Sequence, residues 1–318
     1  MINSANLNGL FSLGLRMPPS EPVRQWIFVE ERFQKFLNNI SLTKDQLNDG
    51  HKKIKGVTKC LNKHYWGIDS EDSNTMLVGS WGKQTRIGPP RDIDLIFFLP
   101  SDLYERYTQR IGNIQSQILQ DVKEVLLKTF STTAIRGDGQ VVVVPFSSYK
   151  VEVVPAFRLN NGHVRICDTN DDGKFKDTDP LAEIHSFDNT DKKWNRNARD
   201  LVRMLKAWQE YHQVPLKSFV LERLTVEFLE QWPYSGHALF WYDWMVRDFF
   251  SFLLSRKNSF VTLPGIFEFI PIGNNWLTKA QRANQNASMA CAYERMNMDG
   301  LAAGEWQAVF GCNIPRLI

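Results

Sequence analysis

Two aspartates separated by one residue, Asp92-Ile93-Asp94, head a run of β-branched and aromatic residues that ends at Pro100. Side chains alternate faces along a strand, so Asp92 and Asp94 share a face while Ile93 turns to the core. Two carboxylates that close repel unless a cation sits between them. A hard divalent ion such as Mg²⁺ suits them, because it takes one or two carboxylates and completes its shell with phosphate and water oxygens. Upstream, Gly79-Ser80 supplies a tight turn and a hydroxyl where phosphates could lie. Together these residues point to phosphoryl or nucleotidyl transfer.

A third carboxylate follows in Val151-Glu152-Val153-Val154-Pro155. An acid among β-branched residues is awkward on a buried strand unless it is paired or binds a metal. Two readings stay open: an exposed residue on an edge strand, or the third ligand of a two-metal site with Asp92 and Asp94. In the second, two ions deprotonate an attacking hydroxyl and stabilise a leaving pyrophosphate.

These residues need elements to hold them. A helical pattern opens at Pro22 after a polar arm over residues 1–20, and the capping box Thr43-Lys44-Asp45-Gln46 starts a long helix that should reach Tyr65. Turn and strand follow over residues 79–100, then a helix over 113–130. Strands over 140–146 and 149–155, separated by Ser147-Ser148, form an expected hairpin. Residues 160–193 read as a polar, Asp-rich loop facing the site. Helical patterns occupy 198–212, 216–232, 235–254 and 279–296. The expected fold is α+β: a core over residues 1–190 with N-terminal helices, packed on a helical domain over residues 191–318.

The chain has 318 residues, 43% hydrophobic and 23% charged, which allows one large or two intimately packed domains. Its net charge of +3 does not call for a nucleic-acid partner. Cys60, Cys167, Cys291 and Cys312 are scattered, which argues against a structural zinc or a disulfide framework and fits a reducing cytoplasm. No signal peptide or membrane span is expected. The apolar window over residues 239–254 is short and contains Asp243, Arg247 and Asp248.

The Gly-Ser turn, the Asp-x-Asp pair and the later strand carboxylate resemble the nucleotidyltransferase superfamily that includes polymerase β. The run from Gly79-Ser80-Trp81-Gly82-Lys83-Gln84-Thr85 through Pro89-Pro90-Arg91 is similar to the bacterial cGAS/DncV-like enzymes. Glu152 stands where many of those enzymes carry Asp. The likeness continues in Arg203-Met204-Leu205-Lys206-Ala207-Trp208, in Leu216-Lys217-Ser218-Phe219-Val220-Leu221-Glu222, and in Trp306-Gln307-Ala308-Val309-Phe310-Gly311.

The resemblance implies a polymerase-β-like core with a mixed sheet and a long spine helix on a C-terminal helical bundle. It implies two Mg²⁺ ions, replaceable by Mn²⁺, on Asp92, Asp94 and Glu152. Gly79, Ser80, Lys206 and Ser218 would meet the triphosphate, and Phe219 a base. The substrates would be nucleoside triphosphates, ATP or GTP, condensed into a cyclic second messenger of antiphage defence (CBASS). A monomer that needs no nucleic acid and works with CBASS regulatory or effector partners is expected. A template-independent transferase acting on RNA ends or a protein is the competing reading, and a non-catalytic nucleotide-binding module a third.

Other signals point away from function. Asp168-Thr169-Asn170-Asp171-Asp172-Gly173 nearly fits a calcium loop, but Asp179 replaces the final Glu and Pro180 follows. Lys52, Lys55, Lys59 and Lys63 line one helix face, more often a solvated face than a nucleic-acid track. Lys206 alone would face solvent, and Ser218-Phe219 alone could be a helix start with a core aromatic. Trp194, Trp208, Trp232, Trp241, Trp244 and Trp306 read as core.

Overall fold

The computed structural model describes residues 28–170 and 172–318. The arm over 1–20 and the helical start at Pro22 lie outside the described residues. Helix α1 (Phe28–Asn39) gathers Val29, Phe33, Phe36 and Leu37 on one buried stripe. Helix α2 (Lys44–Tyr65) is the expected long helix, and its capping box is formed in both directions. Strand β1 (Thr75–Leu77), the helical turn α3 (Gly79–Gly82) and strand β2 (Asp92–Phe98) carry the Gly-Ser and the Asp pair. Helices α4 (Ser101–Thr108) and α5 (Ile114–Thr129) lead to β3 (Arg136–Asp138), β4 (Val141–Pro145) and β5 (Lys150–Arg158). Strands β4 and β5 form the expected hairpin, with Pro145 opposite Lys150.

Residues 160–193 are not the expected loop. They form β6 (Val164–Asp168), β7 (Lys174–Thr178) and α6 (Pro180–Lys193). The polar residues that suggested a loop lie on the outer side of a hairpin. Arg165 grips Asp177, its cross-strand partner, through hydrogen bonds of 2.7 and 2.9 Å, while Val164 and Ile166 turn inward. Asp179 then caps α6 by accepting from the Ala182 N–H, with Pro180 in the first turn.

The remaining helices are α7 (Asn197–Tyr211), α8 (Ser218–Leu229), α9 (Tyr242–Ser255), α10 (Leu277–Arg295) and α11 (Asp299–Phe310). A short hairpin, β8 (Phe260–Thr262) with β9 (Phe269–Pro271), separates α9 from α10. Neither this hairpin nor α11 is in the expected set: three-residue strands are too short to show alternation, and α11 carries Gly300 and Gly304. Helix α9 starts later than expected because Pro233 and Gly236 interrupt the pattern and a 3₁₀ turn precedes it.

The fold is α+β with a mixed sheet in the order β1-β2-β5-β4-β3, β6 pairing the far part of β5 and β7 pairing β6. Strands β2 and β5 run parallel, while the other neighbours among the described strands are antiparallel. Ile93, Leu95, Phe97, Val151 and Val153 are buried against Ile54, Val57 and Leu61 of α2 and Ile118 and Val122 of α5. The other face carries the acids at one end and Ile96, Phe98 and Ala156 further along. Helix α1 joins the core of the helical half, where Phe33 meets Trp306 edge-on at 5.2 Å. Among the described residues no helix is long and apolar enough to cross a membrane.

Candidate active site

Parallel pairing of β2 with β5 sets Asp92 opposite Lys150, Ile93 opposite Val151 and Asp94 opposite Glu152. Directly paired residues share a face, so Glu152 stands beside Asp94 on an inner strand rather than on an exposed edge. Lys150 Nζ lies 3.5 Å from Asp92. No hydrogen bond from the described residues reaches the side-chain carboxylate of Asp94 or Glu152. Burial first, and the Asp92 charge second, push the Asp94 carboxyl up to about 6. Burial, then Asp92 and Asp94, raise Glu152 as well.

Gly79 lies against this group in a left-handed conformation, with φ of +54°. A Cβ built there would come 2.1 Å from Asp94 Oδ2, so only glycine lets the turn approach the acid. The backbone N–H of Val78 donates to the Asp94 carbonyl at 3.1 Å and ties the turn to β2.

A cleft of about 640 Å³ separates the sheet from the helical half. Gly79, Ser80, Asp92 and Asp94 line one wall, and Lys206, Ser218 and Phe219 the other. Glu152 is not among the lining residues; the strand register sets it beside Asp94, which is. Lys206 is buried on α7, its ammonium donating to Thr85 Oγ1 at 2.8 Å and to Glu222 Oε1 at 2.9 Å. Ser218 opens α8 and donates to Gln209 Oε1 at 3.0 Å. Phe219 is half-buried at the margin of the helical core.

Three further cleft residues escaped the sequence reading: Lys83, Thr85 and Glu222. Glu222 is buried, and Lys83 Nζ lies 2.8 Å from its Oε2. Burial alone would push the Glu222 carboxyl up, but Lys206 and Lys83 together hold it down at about 2. Lys83 and Thr85 stand in the Gly-Ser run, and Glu222 four residues after Ser218 on an apolar helix. A lysine on one apolar helix and an acid on another are the sequence sign of a buried pair.

A family model described as Second Messenger Oligonucleotide or Dinucleotide Synthetase domain matches residues 28–191, just over half of the chain. The chain belongs to that family. The synthetase is a nucleotidyltransferase of the bacterial cyclic nucleotide synthase group. It is similar to a probable cyclic nucleotide synthase of Bacillus cereus (strain VD146), with 23% identity over 74% of this chain and 81% of that one. Its fold is that of Vibrio cholerae DncV, a cyclic AMP-GMP synthase solved with a linear intermediate: TM-score 0.69, 14% identity, 92% of this chain and 97% of that one. Escherichia coli MS115-1 CdnC, solved in a HORMA complex, aligns with TM-score 0.66 and 17% identity over 90% of this chain and 98% of that one.

Elsewhere in the synthetase, Asp168 ends β6 and accepts from Gln140 and Asn170, and Gly173 precedes β7. The helix–loop–helix of a calcium site is absent there. Lys55 and Lys59 pair with Glu71 and Asp69 on the surface, as a solvated face does. Trp208, Trp232, Trp241 and Trp306 are buried in the helical core. Among the described residues, Asp243, Cys291 and Glu294 form a group of possible ligands, with their atoms within 4.8 Å of one another. Burial raises both the Cys291 thiol and the Glu294 carboxyl, and Glu294 accepts a hydrogen bond from the Trp306 indole N–H at 2.9 Å. The group is buried in the helical core.

Proposed function

We propose that this synthetase condenses nucleoside triphosphates into a cyclic di- or trinucleotide and releases pyrophosphate. The observation that carries the reading is the register of β2 and β5: it puts Glu152 beside the Asp pair, on the strand side of a cleft whose other wall holds Lys206, Ser218 and Phe219.

Asp92, Asp94 and Glu152 suit divalent cations. They are oxygen donors on paired strands, and two of them are raised by burial and by their neighbours' charge, a repulsion that a cation relieves. Bound there, two Mg²⁺ ions, or Mn²⁺ in their place, would supply an activated acceptor hydroxyl and charge neutralisation at the leaving pyrophosphate.

The chain's own residues do the rest. Ser80, Lys206 and Ser218 hold the donor triphosphate, Gly79 lets the turn come close, and Phe219 offers its face to a base. No side chain is needed as nucleophile: the acceptor hydroxyl attacks the donor α-phosphate, and a second round closes the ring. Alignment and electrostatic preorganisation carry the rate. The reading extends to ATP or GTP as substrates, since CdnC was solved with ATP and DncV with GTP, and to second-messenger signalling in antiphage defence through an effector.

Incubation with all four nucleoside triphosphates and Mg²⁺, followed by phosphatase and mass spectrometry, tests this. A phosphatase-resistant cyclic product supports the reading. Label found only in added RNA or protein would replace it with a terminal transferase.

A further inference from the structure

The buried network on the helix wall has more members than nucleotide binding was expected to need. Lys83 Nζ contacts Glu222 Oε2 at 2.8 Å and Glu183 Oε2 at 3.2 Å. Lys206 Nζ contacts Thr85 Oγ1 at 2.8 Å and Glu222 Oε1 at 2.9 Å. The Thr85 hydroxyl in turn donates a hydrogen bond to Glu222 Oε1 at 3.1 Å. One carboxylate therefore holds two ammonium groups. An ammonium has three N–H donors, so each lysine, with two used, keeps one for a ligand in the cleft that both line.

The two acids differ. The Glu222 side chain is 4% exposed, and both its oxygens are engaged. The Glu183 side chain is 22% exposed, comes from α6, and makes the longest contact in the network. With both acids present the formal charge of the two pairs is zero; without Glu183 it is positive, which suits a polyanion.

We propose that Glu222 is a positioning residue that fixes Lys83 and Lys206 side by side for the donor triphosphate, and that Glu183 is an exchangeable counter-ion which the triphosphate displaces from Lys83. This rests on the nucleoside-triphosphate reading above.

The two acids then have opposite signs, which a merely structural role would not give. The full-length protein, Glu183→Gln and Glu222→Gln are compared in ATP and GTP turnover with Mg²⁺, in competition by inorganic tripolyphosphate, and in Tm. Glu183→Gln should lower KM and the tripolyphosphate inhibition constant about threefold, the scale of a lost surface pair, with kcat little changed. Glu222→Gln should raise both about tenfold, the scale of a charge-assisted contact. Unchanged or raised KM in Glu183→Gln overturns the proposal, as does unchanged KM in folded Glu222→Gln. Should Glu222→Gln not fold, Glu183→Gln decides alone. If the wild-type chain yields no nucleotide product, the functional reading fails, and calorimetric tripolyphosphate binding by wild type and Glu183→Gln still judges the exchange.

Discussion

On the strand side of the cleft, Asp92, Asp94 and Glu152 set three acids on one face of paired strands, with Lys150 3.5 Å from Asp92 as the near cation. On the helix wall, Lys83, Lys206, Glu222 and Glu183 alternate in sign, and every contact is 3.2 Å or shorter. Lys83, Lys206 and Glu222 are held together by their own contacts, which spares reorganisation of those three groups at the reaction. The strand side stores repulsion that a cation would release. Burial serves both ends: it sharpens attraction between paired charges and repulsion between like ones.

This contrast can be broken from either side. The largest effect should come from Asp92→Ala or Asp94→Ala, which should cut product formation on the order of 10³-fold or more by removing charge stabilisation at the reacting phosphate. Circular dichroism and Tm should show an intact fold, and Asp94→Asn should raise Tm at pH 7. Retained synthesis in either alanine variant would remove the pair from the chemistry.

On the other wall, Lys206→Met should act in the opposite sense on stability. It leaves buried Glu222 short of one cation, and breaking such a pair costs about 3 kcal/mol. Chemical denaturation should show the loss together with weaker triphosphate binding.

The next effect is on pH. The folded-state value of Asp94 lies near 6, above an ordinary value of 3.8, so the native state binds the extra proton between them. Stability from this group is therefore full below about pH 4 and lost as pH rises through 6, a change of about 3 kcal/mol from one site. In chelator, Tm should rise as pH falls from 7 toward 5, and Asp94→Asn should remove that slope. Mg²⁺ should flatten it too.

The smallest effect is expected from Phe219→Ala, where losing a base-stacking face of about 1–2 kcal/mol should raise KM about tenfold at nearly constant kcat. Steady-state kinetics would show it.

Local signals were readable in the chain. Alternation put Asp92 and Asp94 on one face, and the Thr43 capping box marked the start of α2. Glu152 left two readings open, because its place beside Asp94 depends on a parallel register between strands distant in sequence. Lys206 was identifiable by family likeness, but its burial depends on Glu222 and Thr85 arriving from other segments. Glu183 was hidden in a stretch whose outward polar residues masked a hairpin and a helix. Short-range periodicity carries secondary structure; which charges neutralise which is a tertiary fact.

The Lys83–Glu222 contact spans 139 residues, and that separation sets when the protein can work. A chain still emerging from the ribosome, grown only as far as residue 191, already contains Asp92, Asp94, Glu152, Lys83 and Glu183. It lacks Lys206 and Glu222, so its Lys83 has only the counter-ion on α6. Contacts that close such long loops form late, because their entropy is lost before they stabilise anything. With the roles proposed above, the site is whole only when α7 and α8 have joined a core that is already synthesised, so the order of folding bears on when activity can begin.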